Sequence, residues 1–338
     1  MRRLPSLTAV LLVLGLALTA CGGGGDDQPS GSPSSSDPSI DDGETIVATW
    51  PLTGLEATGS EDVEKTHPVM VVKMDNTASA SPQVGLSQAD LVVEELVEGG
   101  LTRLAVFYYA QLPAEVGPVR SMRASDIGIV SPVGASVVTS GAAGRTIARI
   151  QGAGIPFFQE GAKGIYRSTS RSAPYNVMAN LHDVATAAKG APARPADYLP
   201  WGRGEDLPAG KKATTLSATF GGGRTTSWAY QDGGYVNTNS YAAADDQFPA
   251  DTVLVLRVEV GDAGYLDPAG NPVPETKLVG SGPALLFHGG RVVRGSWTKP
   301  ALDGEITLRT KKGDLPVPAG HTWIELIPVS SGNVTWHK

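Results

Sequence analysis

The chain of 338 residues contains a single cysteine, Cys21. A disulfide needs two thiols, so no disulfide can form within the chain. A hydrophobic core must therefore stabilise the fold, and hydrophobic residues make up 41% of the sequence. A chain of this length and composition can bury one large core or two moderate ones.

Cys21 closes an N-terminal stretch typical of a lipoprotein signal peptide. Arg2 and Arg3 form a basic start, residues 9–18 form an apolar run, and Leu18-Thr19-Ala20-Cys21 matches the bacterial lipobox. The run is shorter than the roughly 20 residues that a membrane-spanning helix needs. We therefore expect cleavage before Cys21 and lipidation of its thiol, which anchors the protein at the extracytoplasmic face of the cell membrane.

The composition after the signal peptide (residues 1–21) divides the chain into three parts. Residues 22–60 are dominated by Gly, Ser, Pro and Asp towards their start, which predicts a disordered tether. Strand-like and helix-like runs alternate in residues 61–200 and predict an α/β N-terminal domain. Short β runs between turn residues in 211–338 predict a mostly antiparallel β C-terminal domain. The expected fold class is α+β.

The predicted elements follow from hydrophobic patterning and turn residues. Gly99-Gly100 separates two strand-like runs and predicts a hairpin turn. Predicted strands in the first domain are 69–74, 91–97, 101–110 and 135–139, and predicted helices are 121–130 and 142–151. Predicted strands in the second domain are 252–260, 284–288, 291–297, 305–309 and 322–328.

Charge is distributed unevenly along the chain. The net charge is −7, and it becomes −9 once Arg2 and Arg3 leave with the signal peptide. An acidic protein of this kind is a poor nucleic-acid binder, so we expect no nucleic-acid partner. Residues 101–175 nevertheless hold eight basic and three acidic side chains, a local charge of +5. This reversal predicts an anionic partner for the first domain.

The candidate ligand-binding residues belong to this basic segment. A helix beginning near Ser121 places Arg120 and Arg123 on one face and adds the unpaired N–H groups of a helix start, an arrangement that suits phosphate or carboxylate. The alternative is structural, because the acidic cluster of Asp90, Glu94, Glu95 and Glu98 can pair with the same arginines. The full candidate set is Arg103, Arg120, Arg123, Arg171 and Asn176.

Three carboxylates are candidate catalytic residues. Asp75 follows a buried strand, and Glu94 and Glu95 point to opposite sides if residues 91–97 are extended. Asp75 with Glu94 or Glu95 forms a possible acid/base pair for glycan hydrolysis, which needs two carboxylates flanking the scissile bond. The five histidines lack metal-ligand spacing, so we expect no metal and no cofactor.

Several long motifs occur in the order seen in a known family. They are residues 68–76 (PVMVVKMDN), 85–103 (GLSQADLVVEELVEGGLTR), 117–123 (GPVRSMR), 171–176 (RSAPYN) and 320–328 (GHTWIELIP). In these motifs the chain resembles the YerB-like bacterial lipoproteins, whose two parts form a domain of unknown function, DUF3048. The resemblance implies a two-part envelope lipoprotein and supplies no reaction.

Two functions from different classes follow. The first is a non-enzymatic binding or scaffolding lipoprotein that engages an anionic cell-envelope polymer or an envelope protein through the arginine-rich domain. The second is a cell-wall glycan hydrolase or transferase that uses Asp75 and Glu94 or Glu95.

Overall fold

The structure, a computed structural model, describes residues 48–59 and 61–338. The signal peptide and Cys21 lie outside the described residues, as does most of the predicted tether. Within residues 48–59, which the prediction assigned to the tether, Trp50 and Leu52 are buried in the hydrophobic core. The folded part starts earlier than predicted because these two large apolar side chains end the polar segment.

The described residues are rich in strands and contain few helices. The first half comprises β1 (Met70–Asp75), β2 (Leu91–Leu96), β3 (Thr102–Tyr108), α1 (Asp126–Val130), β4 (Ser136–Val138), α2 (Gly144–Gly152), β5 (Phe157–Phe158), β6 (Ile165–Arg167), β7 (Val177–Ala179) and α3 (Leu181–Ala187). The second half comprises β8 (Trp201–Gly202), β9 (Lys211–Lys212), β10 (Thr215–Thr219), β11 (Thr225–Gln231), β12 (Gly234–Asn237), β13 (Thr252–Leu266), β14 (Pro272–Lys277), β15 (Gly280–His288), β16 (Arg291–Lys299), β17 (Thr307–Thr310), β18 (Gly313–Asp314), β19 (Val317–Pro318), β20 (Thr322–Pro328) and β21 (Asn333–His337).

A 13-stranded mixed sheet dominates the fold. Its strand order is β18-β17-β16-β15-β13-β20-β2-β3-β1-β4-β5, with β14 beside β13 and β9 beside β16. A second, four-stranded antiparallel sheet has the order β12-β11-β10-β21. The mixed, strand-rich architecture with few helices agrees with the α+β expectation at this coarse level.

The two halves of the large sheet meet where β2 pairs with β20. The two strands run parallel, and β20 also runs parallel to β13 on its other side. The sheet therefore continues through both predicted domains. The division into 61–200 and 211–338 stays a prediction, because one sheet spans both segments.

Alternation along the central strands creates a hydrophobic core on each face of the sheet. Val71, Val93 and Phe107 belong to one core, whereas Val72 and Val92 belong to the other. Every residue of β1 and of β20 is buried, as expected for strands covered on both faces. This explains why their sequences are nearly continuous apolar runs.

The predicted strands of both halves occur within a few residues of their expected bounds, and α2 matches the helix predicted over 142–151. The helix predicted over 121–130 is wrong in its first half, since α1 begins only at Asp126. Arg120 N donates to the carbonyl of Lys73, and Met122 N donates to the carbonyl of Gly141. These hydrogen bonds hold the segment extended beside β1.

A glycine loop between β10 and β11 packs against the turn that joins β2 to β3. A Cβ on Gly223 would overlap the carbonyl oxygen of Gly100, whereas a Cβ on Gly222 meets no atom within 4 Å. We expect Gly223→Ala to lower the free energy of unfolding by about 1–3 kcal/mol, the usual cost of overpacking. Urea unfolding of both variants checks this, and an equal effect of Gly222→Ala would contradict it.

Candidate functional site

The strand register brings the candidate residues into one row of the sheet. Arg103 on β3 lies opposite Asp75 on β1 and opposite Glu95 on β2. Directly paired residues point to the same face, and successive residues point to opposite faces. Arg103, Asp75 and Glu95 therefore share one face, and Glu94 lies on the other. The predicted separation of Glu94 from Glu95 is confirmed.

Asp75 ends β1 in a tight turn that fixes its carboxylate. Thr77 donates to Asp75 Oδ1 from its backbone N–H at 2.9 Å and from its hydroxyl at 2.6 Å. The other oxygen, Oδ2, lies 3.1 Å from Arg120 Nε. Short polar side chains commonly cap turns in this way. Asp75 is therefore held at the C-terminal end of β1, beside the arginines.

Three guanidinium groups gather here, and we call Arg103, Arg120 and Arg123 the arginine cluster. Arg123 makes a two-pronged ion pair with Glu98, at 2.6 Å from Nε to Oε1 and 2.8 Å from Nη2 to Oε2. Arg120 faces Asp75. Two of the three guanidinium groups thus have a carboxylate within ion-pair distance.

Arg103 is the member of the cluster that has no carboxylate within ion-pair distance among the described residues. The residue is 6% exposed, Nη1 donates to the carbonyl of Ser121 at 2.8 Å, and Nε is buried without a partner there. Burial, then repulsion from Arg123 and Arg120, lowers the pKa of Arg103 to about 10. The cluster is therefore under-neutralised at Arg103.

Glu98 keeps its negative charge in this setting. Burial opposes its ionisation, but the hydrogen bonds and the charge of Arg123 outweigh burial and lower the pKa of Glu98. The predicted structural pairing between the acidic cluster and the arginines is thus confirmed for Glu98. Asp90 instead accepts hydrogen bonds from the backbone N–H groups of Tyr109 and Ala110.

A cavity of about 610 Å³ is lined by Arg123, and we call it the arginine cleft; Arg103 and Arg120 are not among its lining residues. One wall is polar and the other is formed by the end of β13 and its turn. Its lining residues are Glu98, Ser121, Arg123, Ser140, Gly141, Ala142, Ala143, Ile147, Gln159, Tyr265, Leu266, Asp267 and Pro268. Ligand pockets typically measure 300–1,000 Å³. The cleft has the size of a small-ligand or polymer-segment site.

A helix does begin at this cleft, but it is not the predicted one. Ser121 lies in extended chain, whereas α2 starts directly after Ala143, which lines the cleft and provides no side-chain cap. The first N–H groups of a helix lack acceptors within the helix. The sequence predicted a helix start near the arginines, and the structure provides it from a different segment.

The two remaining candidate ligand-binding residues, Arg171 and Asn176, stabilise a loop. Arg171 donates to the carbonyls of Ala80 and Pro82, and Asn176 Oδ1 accepts from Arg167 Nη1 at 2.7 Å. Arg120 also lies over the Tyr175 ring at 5.2 Å from its centroid. Arg171 and Asn176 therefore fix the loop that carries Tyr175, and neither lines the arginine cleft.

The candidate catalytic pair does not share an accessible cleft. The side chains of Glu94 and Glu95 are 0% exposed and lie on opposite faces of the sheet. Glu95 accepts a hydrogen bond from Lys73 Nζ at 2.8 Å, and Asp126 lies 2.6 Å from the same nitrogen. In this arrangement neither glutamate reaches a glycan together with Asp75.

The structure adds residues that the sequence reasoning missed. Glu94 accepts hydrogen bonds from Asn76 and Thr226, and Glu325 of β20 lies directly opposite it. Thr226 and Glu325 lie in the second half of the chain, and no local pattern marks them as neighbours of Glu94. Only the pairing of β2 with β20 brings them together.

Within 48–59 and 61–338, no helix is both long enough and apolar enough to cross a membrane. The same residues contain no group of three or more His, Cys, Asp or Glu side chains placed to bind a metal ion.

The mixed sheet and its buried ion pairs define a strand-rich α+β protein. Two family descriptions match the chain: "Protein of unknown function (DUF3048) N-terminal domain" over residues 52–194, and the corresponding C-terminal domain over residues 216–324. The chain belongs to the DUF3048 family, as the motif resemblance predicted.

A relative and a solved structure agree with this assignment. "Putative lipoprotein YerB" of Bacillus subtilis (strain 168) is 25% identical over 292 residues, which are 82% of this chain and 86% of the relative. The crystal structure of the YerB protein from Bacillus subtilis matches with a TM-score of 0.70 and 21% identity, covering 85% of this chain and 99% of that chain. The structural likeness shows a shared fold.

The buried lysine gives a stability test. Lys73→Met leaves Glu95 and Asp126 buried without their cation, so we expect the free energy of unfolding to fall by about 3–5 kcal/mol. The control is Lys163→Met, which breaks the largely exposed pair with Asp183 and should cost about 0–1 kcal/mol. Urea unfolding measures both, and equal small losses would contradict the buried network.

Proposed function

We propose that this protein is a membrane-anchored extracytoplasmic lipoprotein that binds an anionic component of the cell envelope in the arginine cleft. The proposal covers an anionic polymer or an acidic segment of an envelope protein. The observation that carries it is the arginine cluster, in which Arg120 and Arg123 are ion-paired with Asp75 and Glu98 and Arg103 has no carboxylate within ion-pair distance among the described residues.

The charge of Arg103, which no carboxylate of the described residues neutralises directly, supports an anionic ligand on electrostatic grounds. A buried cation without a counter-ion is costly, because burial removes the water that would otherwise stabilise its charge. A ligand phosphate or carboxylate beside Arg123 and Ser121 would place negative charge near Arg103, which donates to the Ser121 carbonyl. Guanidinium groups also bind such planar or tetrahedral anions through two parallel hydrogen bonds.

The lining of the arginine cleft suits a ligand that is polar on one side and more apolar on the other. Ser140, Gln159 and the start of α2 offer hydrogen-bond donors beside Arg123. Tyr265 and Leu266 form the facing wall, and Leu266 is 62% exposed. A glycan or polyol chain carrying anionic groups has this combination of surfaces.

The lipid anchor rests on the sequence and on the relative. Cys21 closes the lipobox-like segment, and the described fold begins within 30 residues of it, at residue 48. The name of the relative, "Putative lipoprotein YerB", agrees with a membrane-anchored location. Anchoring at Cys21 keeps the arginine cleft close to the membrane surface and restricts its partners to molecules of that region.

The glycan hydrolase or transferase alternative has no comparable support. Retaining and inverting glycosidases need two carboxyl groups on opposite sides of the scissile bond. Glu94 and Glu95 are fully buried, and Asp75 is engaged by Thr77 and Arg120. The geometry favours binding without catalysis.

Opposite charge changes in the arginine cleft test the binding proposal. Arg123→Ala should raise the Kd for a poly(glycerol phosphate) chain about tenfold or more, because a hydrogen-bonded charge contributes about 1.5–3 kcal/mol. Glu98→Gln should lower the Kd several-fold, since it removes the carboxylate that competes with the ligand for Arg123. Calorimetric titration of the chain from residue 22 onward measures both.

The matched control for these variants is Arg309→Ala. Arg309 is an exposed arginine on β17 that pairs with Asp314 at 3.0 Å. It changes the net charge as Arg123→Ala does and should leave the Kd unchanged. Equal weakening by both substitutions would contradict a defined site and indicate diffuse attraction to the surface.

Lipidation at Cys21 is tested separately. Cys21→Ser removes the only thiol, so the protein should leave the membrane fraction and lose incorporation of a labelled fatty acid. Ser34→Ala, within the tether, should do neither. Continued fatty-acid labelling of the Cys21→Ser variant would overturn the assignment.

A further inference from the structure

A buried carboxyl pair lies at the junction between the two halves of the large sheet. Glu94 on β2 and Glu325 on β20 are direct partners in the parallel register, and both are 0% exposed. Paired residues of adjacent strands project to the same face. Two carboxyl groups therefore face each other in the interior, at the seam that joins the halves.

The two carboxyl groups have different hydrogen-bond donors and charges around them. Glu94 accepts from Asn76 Nδ2 at 2.9 Å and from Thr226 Oγ1 at 2.9 Å to one oxygen and 3.0 Å to the other. Arg224 Nε lies 3.8 Å from Glu94 Oε1. These donors and this cation stabilise a carboxylate. Glu94 is therefore the member suited to carry the negative charge.

Fewer groups around Glu325 can stabilise a negative charge on its carboxyl. Its Oε1 accepts from the Trp228 indole at 2.9 Å, and its Oε2 is buried without a donor among the described residues. A proton on Glu325 turns this carboxyl into a donor towards Glu94. Burial, then the charge of Glu94, raises the pKa of Glu325 well above its ordinary value.

From this arrangement we infer that Glu94 and Glu325 share one proton and act as a pH-dependent lock on the β2–β20 seam. With the proton in place, one negative charge faces Arg224, and the two strands pair closely. Loss of the proton puts two negative charges side by side against one cation. Repulsion between buried like charges then favours separation of the strands.

The direction of the pH effect follows from linkage. The folded state holds this proton more tightly than the unfolded state, in which the glutamate titrates near its ordinary value of 4.5. The stabilisation is fully present below that value and is lost as the pH rises through the folded-state value. The lock therefore closes in acid and loosens in alkali.

The charged and polar groups next to the Glu94–Glu325 pair are few. Arg224 is the charged group facing it, and the Arg224 guanidinium lies over the Tyr241 ring at 4.7 Å. The polar neighbours Asn76, Thr226 and Trp228 do not titrate. Glu95 and Asp90 also have raised pKa values through burial, but Glu95 lies on the opposite face, so single variants separate these contributions.

Infrared difference spectroscopy of the chain from residue 22 onward tests the lock directly. At neutral pH we expect the carbonyl band of a protonated carboxylic acid in the wild type and its loss in Glu325→Gln, which mimics the protonated form. Urea unfolding of Glu325→Gln should show a weaker decline of stability towards high pH. The control Glu205→Gln, an exposed carboxylate, should change neither measurement.

A second variant keeps the test decisive if Glu325→Gln fails to fold. Glu94→Gln removes the neighbouring charge, so the acid band assigned to Glu325 should titrate at a lower pH than in the wild type. An acid band that is unchanged in both variants, or that is absent from the wild type at neutral pH, would overturn the shared proton.

Discussion

The pairing of β2 with β20 is the interaction on which the rest of the structure depends. It joins strands from distant parts of the chain into one sheet and places a hydrophobic core on each face. Because side chains alternate along β2, Glu94 and Glu95 carry charge into both faces at this point. The polar groups around Glu94 come from both halves of the chain, since Asn76, Thr226 and Glu325 all lie beside it.

The arginines divide into those with structural partners and one without a carboxylate. Arg123 pairs with Glu98, Arg120 lies beside Asp75, and Arg171 holds a loop. The pair with Glu98 fixes the Arg123 guanidinium at the arginine cleft, whereas Arg120 and Arg171 are not among the residues that line it. Among the residues that the structure describes, the Arg103 side chain donates only to the backbone carbonyl of Ser121. Of the other basic residues in the segment 101–175, Arg149, Lys163 and Arg167 pair with Glu275, Asp183 and Glu160 away from the cluster.

Local patterns predicted much of the fold but only part of the site. The buried strand before Asp75, the Gly99-Gly100 turn and the opposite orientation of Glu94 and Glu95 all follow from short-range periodicity. The helix expected from Ser121 fails because backbone hydrogen bonds to Lys73 and Gly141 hold that segment extended. The neighbours of Glu94 depend on strand pairing across more than 200 residues, which one sequence does not encode in any local motif.

The most direct test of the account is a chemical-shift map of the mature chain titrated with a poly(glycerol phosphate) segment. Binding in the arginine cleft predicts shift changes that concentrate on Ser121, Arg123 and the backbone amides of residues 140–146. Shift changes confined to a different cavity, the one lined by Trp201 and Glu305, would contradict the proposed function. No change at a ligand concentration that saturates the calorimetric signal would contradict it equally.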